Sequence, residues 1–583
     1  MQLILLDGKE LYRAFIVGAK RLIMDKHDLN RINVFPVADG DTGSNMAFLM
    51  QTIINEAKPG ETVSETMESI ASASLSGSRG NSGLIFSEYI YGLFESLKGK
   101  MTATIADFAT AFRYAAKKAY DAILNPVEGT ILTLIRKVSE TPADQPHFES
   151  YFNATLVNAK KALAETTFEL AILKKAGVVD AGAKGFTDFL EGIHHYFVTG
   201  EYEMTDIIQI EAAMTDLHVD DCEERYCTEA LITNSKVSTD ELKHLFANDG
   251  SSLIVSGRTD KTRLHIHTDN PDRFFLKLAE YGKITEQKVD DMKRQLDAVR
   301  TPHPEIALLT DSIADLPADL MDQHQVHLLP MGLLVDDVPY LDKVTISSET
   351  FYTLLKSADK LSSSQPNNKQ IERMLDFLLD HYKQVLIVTV SSQMSGTYNA
   401  YYQYAKDHPE VKVFDSRQNS GAEGLVVLQA AKMIESGKKL DEIISELDQF
   451  TARTKIFVSV KTLKYMVKQG RVSKVTGLAA KIMNLKPVIG ISPDGKGIIV
   501  KKALSLAGNV RQIMNLVKLA PVEQYAIIHS ESEKRASKLA SMIEEVTGKK
   551  PLYMMSISPI VAMNAGIGAV AVALTYESEV TIQ

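Results

Sequence analysis

The first third of the chain alternates apolar and polar positions with a helical period. Apolar residues recur three and four positions apart in five stretches, namely residues 8–24, 44–54, 61–75, 105–124 and 148–165. This spacing places the apolar side chains on one face of a helix. A further helical run, residues 84–94, follows a turn rich in glycine and serine. We therefore predict that residues 1–200 form an almost wholly helical domain.

The pattern changes near residue 201. Residues 228–233, 252–256 and 264–268 have the composition of β-strands, and residues 239–248 have that of one helix. These elements predict a small α/β domain over residues 201–300. A proline-punctuated link over residues 299–304 ends it.

Beyond the link, apolar runs alternate with helical stretches. The runs are residues 306–310, 326–335, 384–390, 412–415, 456–460 and 525–529. Alternation of this kind predicts an α/β fold with a parallel sheet over residues 305–583. Residues 551–576 carry no charged side chain, but Pro559, Gly566 and Gly568 interrupt them. We predict two buried strands joined by a glycine turn there, rather than a membrane span.

Composition limits the classes of function. The 583 residues are too many for one core, and the apolar and charged fractions of 45% and 24% are typical of globular proteins. A net charge of -10 argues against a nucleic-acid partner. Only two cysteines occur, Cys222 and Cys227, and Asp7 interrupts the apolar start before a secretory signal forms. We expect a cytoplasmic protein whose partners are small molecules or other proteins.

One turn concentrates candidate chemistry. Residues 33–46 read NVFPVADGDTGSNM, with Asp39 and Asp41 one glycine apart and an apolar helical run directly after them. Mg²⁺ takes one or two protein carboxylates and completes its shell with water and phosphate oxygens. The first N–H groups of the next helix favour phosphate. The turn is therefore a candidate metal-nucleotide site, and the alternative is a solvated loop with an ordinary helix cap.

This string resembles the signature of the ATP-binding domain of dihydroxyacetone-kinase-type proteins, in the form found in bacterial fatty acid kinases. Three later strings resemble the same domain in the same order: SRGNSG at 78–83, PVEGT at 126–130 and AGVVDAG at 176–182. The resemblance implies an all-α helical barrel that binds Mg²⁺ and ATP. It implies catalytic roles for Asp39, Asp41 and Arg79, with Asp39 and Asp41 holding the magnesium. The nucleotide contacts that it implies are Thr42, Ser44, Asn45, Gly80, Asn81, Ser82, Gly129, Thr130 and Asp180.

Some of these residues depart from the family or have a second explanation. The family commonly places three aspartates on two metals, whereas the first of those positions is Val34 here. The turn around Arg79 also suits a close approach of two helices that tolerates only glycine and serine. Asp180 has a simple turn residue as its alternative role.

The small α/β domain carries a possible metal set. His265 and His267 are two apart, so they point to one face of a strand, and Cys227 is a third candidate ligand for a tetrahedral Zn²⁺. The alternative is a structural role in which each ring bonds a neighbouring carbonyl. The strings YCTE at 226–229 and HIHTD at 265–269 resemble the middle domain of fatty acid kinases, which implies a metal site at these residues.

The last part of the chain resembles the DegV family of fatty-acid-binding proteins. The strings that carry the resemblance are TDS at 310–312, SSSQP at 362–366, SGT at 395–397, DS at 415–416 and GRVS at 470–473. It implies an α/β fold of two lobes in which Ser363 and Ser395 grip a fatty acid carboxylate, with Gly396 and Thr397 in the same turn. Asn564, which stands where the family usually has a histidine, is a further substrate contact that the resemblance implies, and an expected arginine near residues 501–504 is missing.

Together these features predict a fusion of a fatty acid kinase with its acyl carrier. The domains would be 1–200 for ATP, 201–300 as the middle domain and 305–583 for the fatty acid, and the activity would be ATP-dependent formation of acyl phosphate. Transient membrane contact for lipid exchange and a homodimer are expected. The alternatives are a small-polyol kinase of the dihydroxyacetone kind and a non-enzymatic lipid carrier or sensor with a degenerate kinase domain.

Overall fold

The computed structural model describes residues 2–38, 40–202, 223–299, 303–469 and 486–582. The chain divides into two compact units, Met1–Arg300 and Thr301–Gln583. Among the described residues, none of the helices combines the length and the apolar character needed to cross a bilayer.

The first unit begins with a helical region. Its helices are Gly8–Met24, Lys26–Arg31, Thr42–Glu56, Val63–Gly77, Gly80–Leu97, Ile105–Asp121, Ile131–Ser139, Phe148–Glu169, Ala171–Ala176 and Ala181–Thr199. Side-chain caps fix several starts: Asp7 accepts from the Glu10 N–H, and Thr62 forms a capping box with Glu65. The core between the helices is rich in phenylalanine, and Phe86 packs edge-to-face on Phe186.

The second region of this unit is a small α/β fold. Its strands are β1 (Tyr226–Thr233), β2 (Ser251–Arg258), β3 (Lys261–Thr268) and β4 (Lys283–Asp291), and its helices are Thr239–Phe246, Pro271–Leu278 and Met292–Val299. The strands form an antiparallel sheet in the order β2-β3-β1-β4. The sequence analysis missed β4 and the helices Pro271–Leu278 and Met292–Val299. β4 buries only Ile284, so its run of polar residues lacks the apolar signal of a strand.

The described residues of the second unit form three sheets. Its strands are β5 (Ile306–Asp311), β6 (Val326–Leu329), β7 (Gly332–Val335), β8 (Val338–Leu341), β9 (Leu361–Ser364), β10 (Gln384–Thr389), β11 (Val411–Asp415), β12 (Thr454–Ser459), β13 (Val488–Ile491), β14 (Gly497–Lys501), β15 (Val522–His529), β16 (Met554–Ser556) and β17 (Val570–Tyr576). Its helices are Ala318–Gln323, Ser348–Leu355, Asn368–His381, Thr397–Ala405, Ser420–Glu435, Leu440–Arg453, Lys464–Lys468, Leu506–Val517, Glu533–Thr547 and Pro559–Ala565.

Strand direction differs between these sheets. The order β11-β10-β5-β6 is parallel throughout. The order β14-β13-β12-β17-β15-β16 is antiparallel except for the β15–β16 pair, and β8-β7-β9 is antiparallel. The predicted parallel sheet is therefore correct for β5, β6, β10 and β11 and wrong for β12, while β15 is antiparallel to β17 and parallel only to β16. Both kinds of strand are largely buried runs, and burial alone does not reveal the direction of the neighbour.

Two local predictions also need correction. Residues 326–335 form two strands in different sheets, because Pro330 separates them and cannot donate to a ladder. Residues 551–576 form a short strand, the helix Pro559–Ala565 and a second strand, instead of two strands. Pro559 occupies the first helical position and the Ser558 side chain caps it by accepting from Val561. The fold class, helices followed by a small and then a larger α/β region, is confirmed.

Candidate functional site

The first candidate turn leads into the helix Thr42–Glu56. Asp41 immediately precedes this helix and is half-buried, whereas Asp39 lies outside the described residues. The Thr42 hydroxyl donates to Asn33 Oδ1 at 2.8 Å, and the Ser44 N–H donates to Asn30 Oδ1 at 2.9 Å. The hydroxyl of Thr42 and the backbone of Ser44 therefore brace the turn against the preceding segment, leaving Asp41 at the entrance of the helix.

Val34 has a packing role at the position where an aspartate was expected. It is buried in a small apolar cluster with Ala38, Leu173 and Leu296. A carboxylate at this position would lose its hydration among apolar neighbours. The cluster instead fastens the turn to the helix Met292–Val299 of the α/β region.

The second turn touches the first. Arg79 precedes the helix Gly80–Leu97, and its guanidinium lies 3.5 Å from the centre of the Phe48 ring. Gly80 has a φ of +59°, and a Cβ there would lie 2.6 Å from Asn45 Nδ2. The first string, before the helix Thr42–Glu56, and the second string, before the helix Gly80–Leu97, therefore lie next to each other in the structure.

Asp180 connects the third and fourth strings. Its carboxylate is buried and accepts from the Ala183 N–H at 2.7 Å. Burial raises the pKa of Asp180 to about 6, while hydrogen bonds from the backbone of Ala183, Ile131 and Gly182 act in the opposite direction. Since Ile131 begins the helix after Gly129 and Thr130, this carboxylate holds the starts of two helices together. The geometry favours a positioning role for Asp180 at the site.

The fourth string also meets the second. A Cβ at Gly182 would lie 2.6 Å from Ser82 Oγ. Thr130 caps the helix Ile131–Ser139 by accepting from Leu132. Asn81 Oδ1 is buried and has no hydrogen-bond partner among the described residues. All four strings therefore converge, with glycines where the backbones come closest and with helix N-termini suited to phosphate.

Glu128 is a residue that the sequence analysis gave no role. Its carboxylate accepts from the Tyr120 hydroxyl at 2.7 Å, from Arg136 at 3.0 Å and from the Thr133 hydroxyl. It thereby holds the loop that carries Gly129 and Thr130. The PVEGT string contains this glutamate, but only the fold shows which side chains surround it.

The three candidate metal ligands of the α/β region lie close together in the structure. The ligand atoms of Cys227, His265 and His267 lie within 4.8 Å of one another, and all three residues are buried. No other group of three such ligands is this close within the described ranges. Cys227 Sγ is 3.8 Å from His265 Nδ1, and His265 Nε2 has no hydrogen-bond partner in the part of the chain that the structure describes. The set fits a zinc ion with one coordination position left for another ligand.

The protonation states agree with this fit. Burial and the neighbouring His265 lower the pKa of His267 to about 3, so the ring is neutral at pH 7 and offers a lone pair. Burial raises the pKa of the Cys227 thiol well above its usual value. A bound cation is what would remove that proton.

The second unit contains a cavity of about 540 Å³, a size typical of small-molecule sites. Ser363, Ser395, Gly396 and Asn564 line it together with apolar side chains of the six-stranded sheet and of the segments that directly follow β5, β6 and β10. Thr397 is fully buried, and its Oγ1 lies 2.8 Å from Ser395 Oγ. Thr397 therefore orients the serine. GRVS at 470–473 lies outside the described residues.

Asn564 presents an acceptor. Its Nδ2 donates to the Ile560 carbonyl at 2.8 Å, while its buried Oδ1 has no partner among the described residues. Gln365, which the sequence analysis left without a role, also lines the cavity and touches the Ser395 turn where a Cβ on Gly396 would lie. The cavity wall thus combines these polar groups with apolar side chains.

Three family models match the chain in sequence order. The DAK2 domain matches residues 36–195, the FakA-like middle domain of fatty acid kinases matches residues 223–299, and the DegV family matches residues 305–577. The chain is therefore a multidomain protein with the three domains that the sequence predicted. It joins a DAK2 domain, a fatty-acid-kinase-like middle domain and a DegV domain in one polypeptide.

Similar proteins match different shares of the chain. The DegV domain-containing protein CA_C1624 of Clostridium acetobutylicum is 29% identical over 46% of this chain and 98% of its own length. The uncharacterized protein SERP0792 of Staphylococcus epidermidis is 26% identical over 82% of this chain and 90% of its own length. Protein YloV of Bacillus subtilis is 28% identical over 50% of this chain and 56% of its own length.

Solved structures are similar to the DegV part. A fatty-acid-binding DegV family protein from Thermus thermophilus has a TM-score of 0.43 and 24% identity over 46% of this chain and 99% of its own. DegV of Bacillus subtilis, a fatty acid binding protein, has a TM-score of 0.44 and 22% identity over 47% of this chain and 100% of its own.

Proposed function

We propose that this protein transfers the γ-phosphoryl group of ATP to the carboxylate of a fatty acid and releases acyl phosphate and ADP. The observation that carries the proposal is the presence, on one chain, of a convergent set of phosphate-type turns and a cavity whose wall combines apolar side chains with hydroxyls. A polyol kinase does not need such a cavity. A lipid carrier has no use for the turns.

The nucleotide is proposed to bind where the four strings converge. Backbone N–H groups that follow Gly80 at the start of the helix Gly80–Leu97 and the Arg79 guanidinium face the phosphates, and Asp39 and Asp41 hold the magnesium that accompanies ATP. Phosphoryl transfer needs alignment and charge neutralisation more than a strong base. This matches a site that is built from glycines, hydroxyls and one cationic side chain.

The fatty acid is proposed to occupy the cavity with its carboxylate at Ser363 and Ser395. Burying about a dozen CH₂ groups contributes on the order of 10 kcal/mol, which allows the cavity to compete with a bilayer for the chain. Loading then requires transient contact with a membrane surface. Joining the two activities on one chain raises their effective concentration, and a homodimer would let transfer occur between protomers.

Zinc is proposed at Cys227, His265 and His267. When bound there, it supplies a fixed positive charge and a rigid link between β1 and β3. The chain itself contributes one thiolate and two neutral imidazoles.

Measurement of ADP release with palmitate, oleate and dihydroxyacetone tests the proposal. We expect turnover with a fatty acid and none with the ketone, and we expect Ser395→Ala to weaken fatty acid binding. Ser537→Ala, on the exposed face of Glu533–Thr547, is the matched control. Turnover with dihydroxyacetone alone, or bound lipid without any turnover, contradicts the proposal.

A further inference from the structure

One face of the small sheet lies against the second glycine-rich turn of the helical region. β1 and β3 are antiparallel and in register, with Glu229 opposite His265 and Leu231 opposite Arg263. Because alternate residues of a strand share a face, Glu229 and Arg263 project on the same side as Cys227 and His265. None of the strings used in the sequence analysis assigned a role to either Glu229 or Arg263.

Glu229 contacts the start of the helix Gly80–Leu97. Its Oε1 accepts from the Gly80 N–H at 2.6 Å, and its side chain is fully buried. The first N–H groups of a helix lack partners inside the helix, and a carboxylate there is favourable. The hydrogen bond fixes the backbone at the residue whose positive φ turns the chain from Arg79 into the helix.

Arg263 contacts the end of the preceding helix, Val63–Gly77. Its side chain is 4% exposed and donates from Nε to the Leu75 carbonyl and from Nη2 to the Ser76 carbonyl, each at 3.3 Å. The last carbonyls of a helix also lack partners inside the helix, and a cation there is favourable. Arg263 therefore satisfies helix-end carbonyls on one side of the turn, and Glu229 satisfies a helix-start N–H group on the other side.

The two side chains form a single unit. Arg263 Nη1 lies 3.7 Å from Glu229 Oε2, and Lys288 Nζ lies 3.5 Å from Glu229 Oε1. A buried carboxylate of this kind is stable only when cations and hydrogen bonds compensate its charge. The pair is thus held in one geometry, and residues 77–79 lie between its attachment points at Ser76 and Gly80.

We infer that Glu229 and Arg263 are positioning residues for the phosphate-binding turn, acting as a clamp from the middle domain on residues 75–80. The inference rests on the proposed function, because it is the nucleotide phosphates that meet Arg79, Asn81 and Ser82 in this turn. The clamp sets the direction of the N–H groups at the helix start. The middle domain then contributes to ATP binding without touching ATP.

Two measurements on the full chain test the clamp. The first is amide hydrogen exchange of peptides that cover residues 75–83, without nucleotide. The second is the Kd of Mg-ATP, together with KM and kcat. Glu229→Ala is expected to speed exchange in these peptides and to raise the Kd and KM for ATP about tenfold, with fatty acid affinity unchanged.

Three further variants serve as a conservative replacement, a control and a second test of the clamp. Glu229→Gln keeps an oxygen for the Gly80 N–H and is expected to restore protection and ATP affinity to within about threefold of the parent. Glu286→Ala removes the other, half-exposed carboxylate partner of Arg263 and is the matched control, with no change expected in either measurement. Arg263→Ala provides the decisive test if Glu229→Ala does not fold, and it is expected to raise the KM for ATP in the same way.

The clamp is overturned if a folded Glu229→Ala or Arg263→Ala variant shows parental exchange in residues 75–83 and parental ATP affinity. It is also overturned if Glu229→Gln is as defective as Glu229→Ala, since the hydrogen bond would not then be the cause. A parent that binds no Mg-ATP contradicts the proposed function, and in that case exchange at residues 75–83 alone decides on the clamp.

Discussion

Asn45 and Gly80 lie in direct contact, so that a Cβ on Gly80 would come within 2.6 Å of Asn45 Nδ2. This contact joins the aspartate-containing turn to the glycine-rich turn. Gly80 also has a φ of +59°, which a residue with a side chain adopts only at a cost. Both observations make Gly80 a sensitive position in the proposed nucleotide site.

We expect Gly80→Ala to raise the Kd of Mg-ATP roughly tenfold, because strain and the clash with Asn45 displace the turn. Fluorescent-nucleotide titration measures this. Gly99→Ala is the matched control, since Gly99 also has a positive φ, +79°, but has nothing within 4 Å of its would-be Cβ. Equal loss of ATP affinity in both variants would show that backbone strain alone, and not the contact with Asn45, is responsible.

Asp41→Asn is expected to lower kcat with a fatty acid by roughly a hundredfold, because an amide oxygen neutralises bound Mg²⁺ poorly. Steady-state ADP release at saturating ATP measures it. Asp28→Asn changes an exposed carboxylate that pairs with Arg31 in the preceding helix and is expected to leave kcat unchanged. Parental turnover by Asp41→Asn would remove this aspartate from the proposed metal site.

The zinc proposal has a direct readout. Native mass spectrometry is expected to show one zinc ion per chain in the parent and none in Cys227→Ala, since two imidazoles alone hold zinc weakly. His244→Ala changes an exposed histidine of the same domain and is expected to retain the ion. A Cys227→Ala protein that carries the same zinc content as the parent would contradict the assignment.

Sequence patterns predicted six helices of the first region because each of these carries its own signal, but they missed others, such as Ala181–Thr199. Gly8–Met24 has the expected bounds because an amphipathic period follows the Asp7 cap. The pairing of strands was harder to predict from the sequence. β12 and β15 are buried runs whose antiparallel neighbour β17 comes from the end of the chain, and no local pattern encodes that pairing.

The candidate site divides in the same way. Residue types that recur in family strings, such as Asp41, Gly80 and Ser395, were accessible from sequence and stay predictions in their detailed roles. The roles of Glu128 and Glu229 could not be predicted from the sequence, although both residues lie inside strings that carry the family resemblance. Their roles come from tertiary partners, Arg136 for one and Gly80 for the other, which are 8 and 149 positions away.

Filling the cavity is expected to abolish fatty acid binding while leaving the nucleotide site intact. Ala571 lies on β17, is 4% exposed and lines the cavity. Ala571→Leu adds three carbon atoms to the cavity wall, and we expect the Kd for oleate to rise at least about tenfold with the Kd of Mg-ATP unchanged. Ala520→Leu, in the same unit but outside the cavity lining, is the control. Parental oleate affinity in a folded Ala571→Leu protein would place the acyl chain elsewhere.

The buried carboxyl of Asp342 is expected to make the stability of the second unit depend on pH. Its carboxyl is fully buried, accepts from the Ser312 hydroxyl at 2.7 Å and from the Ile560 N–H at 3.2 Å, and has Lys343 and Asp315 as charged neighbours. Burial raises the pKa of Asp342 to about 7, with Lys343 acting in the opposite direction. The folded chain therefore keeps a proton that the unfolded chain releases above about pH 4.

A raised pKa in the folded state fixes the sign of the effect. The contribution of Asp342 to stability is fully present below about pH 4 and is lost as the pH rises through about 7. Asp342→Asn is uncharged throughout, so we expect its melting temperature to fall less between pH 5 and pH 8 than that of the parent. Differential scanning calorimetry in matched buffers measures the difference, with the exposed Asp407→Asn as control. An identical fall in the parent and in Asp342→Asn would show that Asp342 holds no proton in the folded chain over this range.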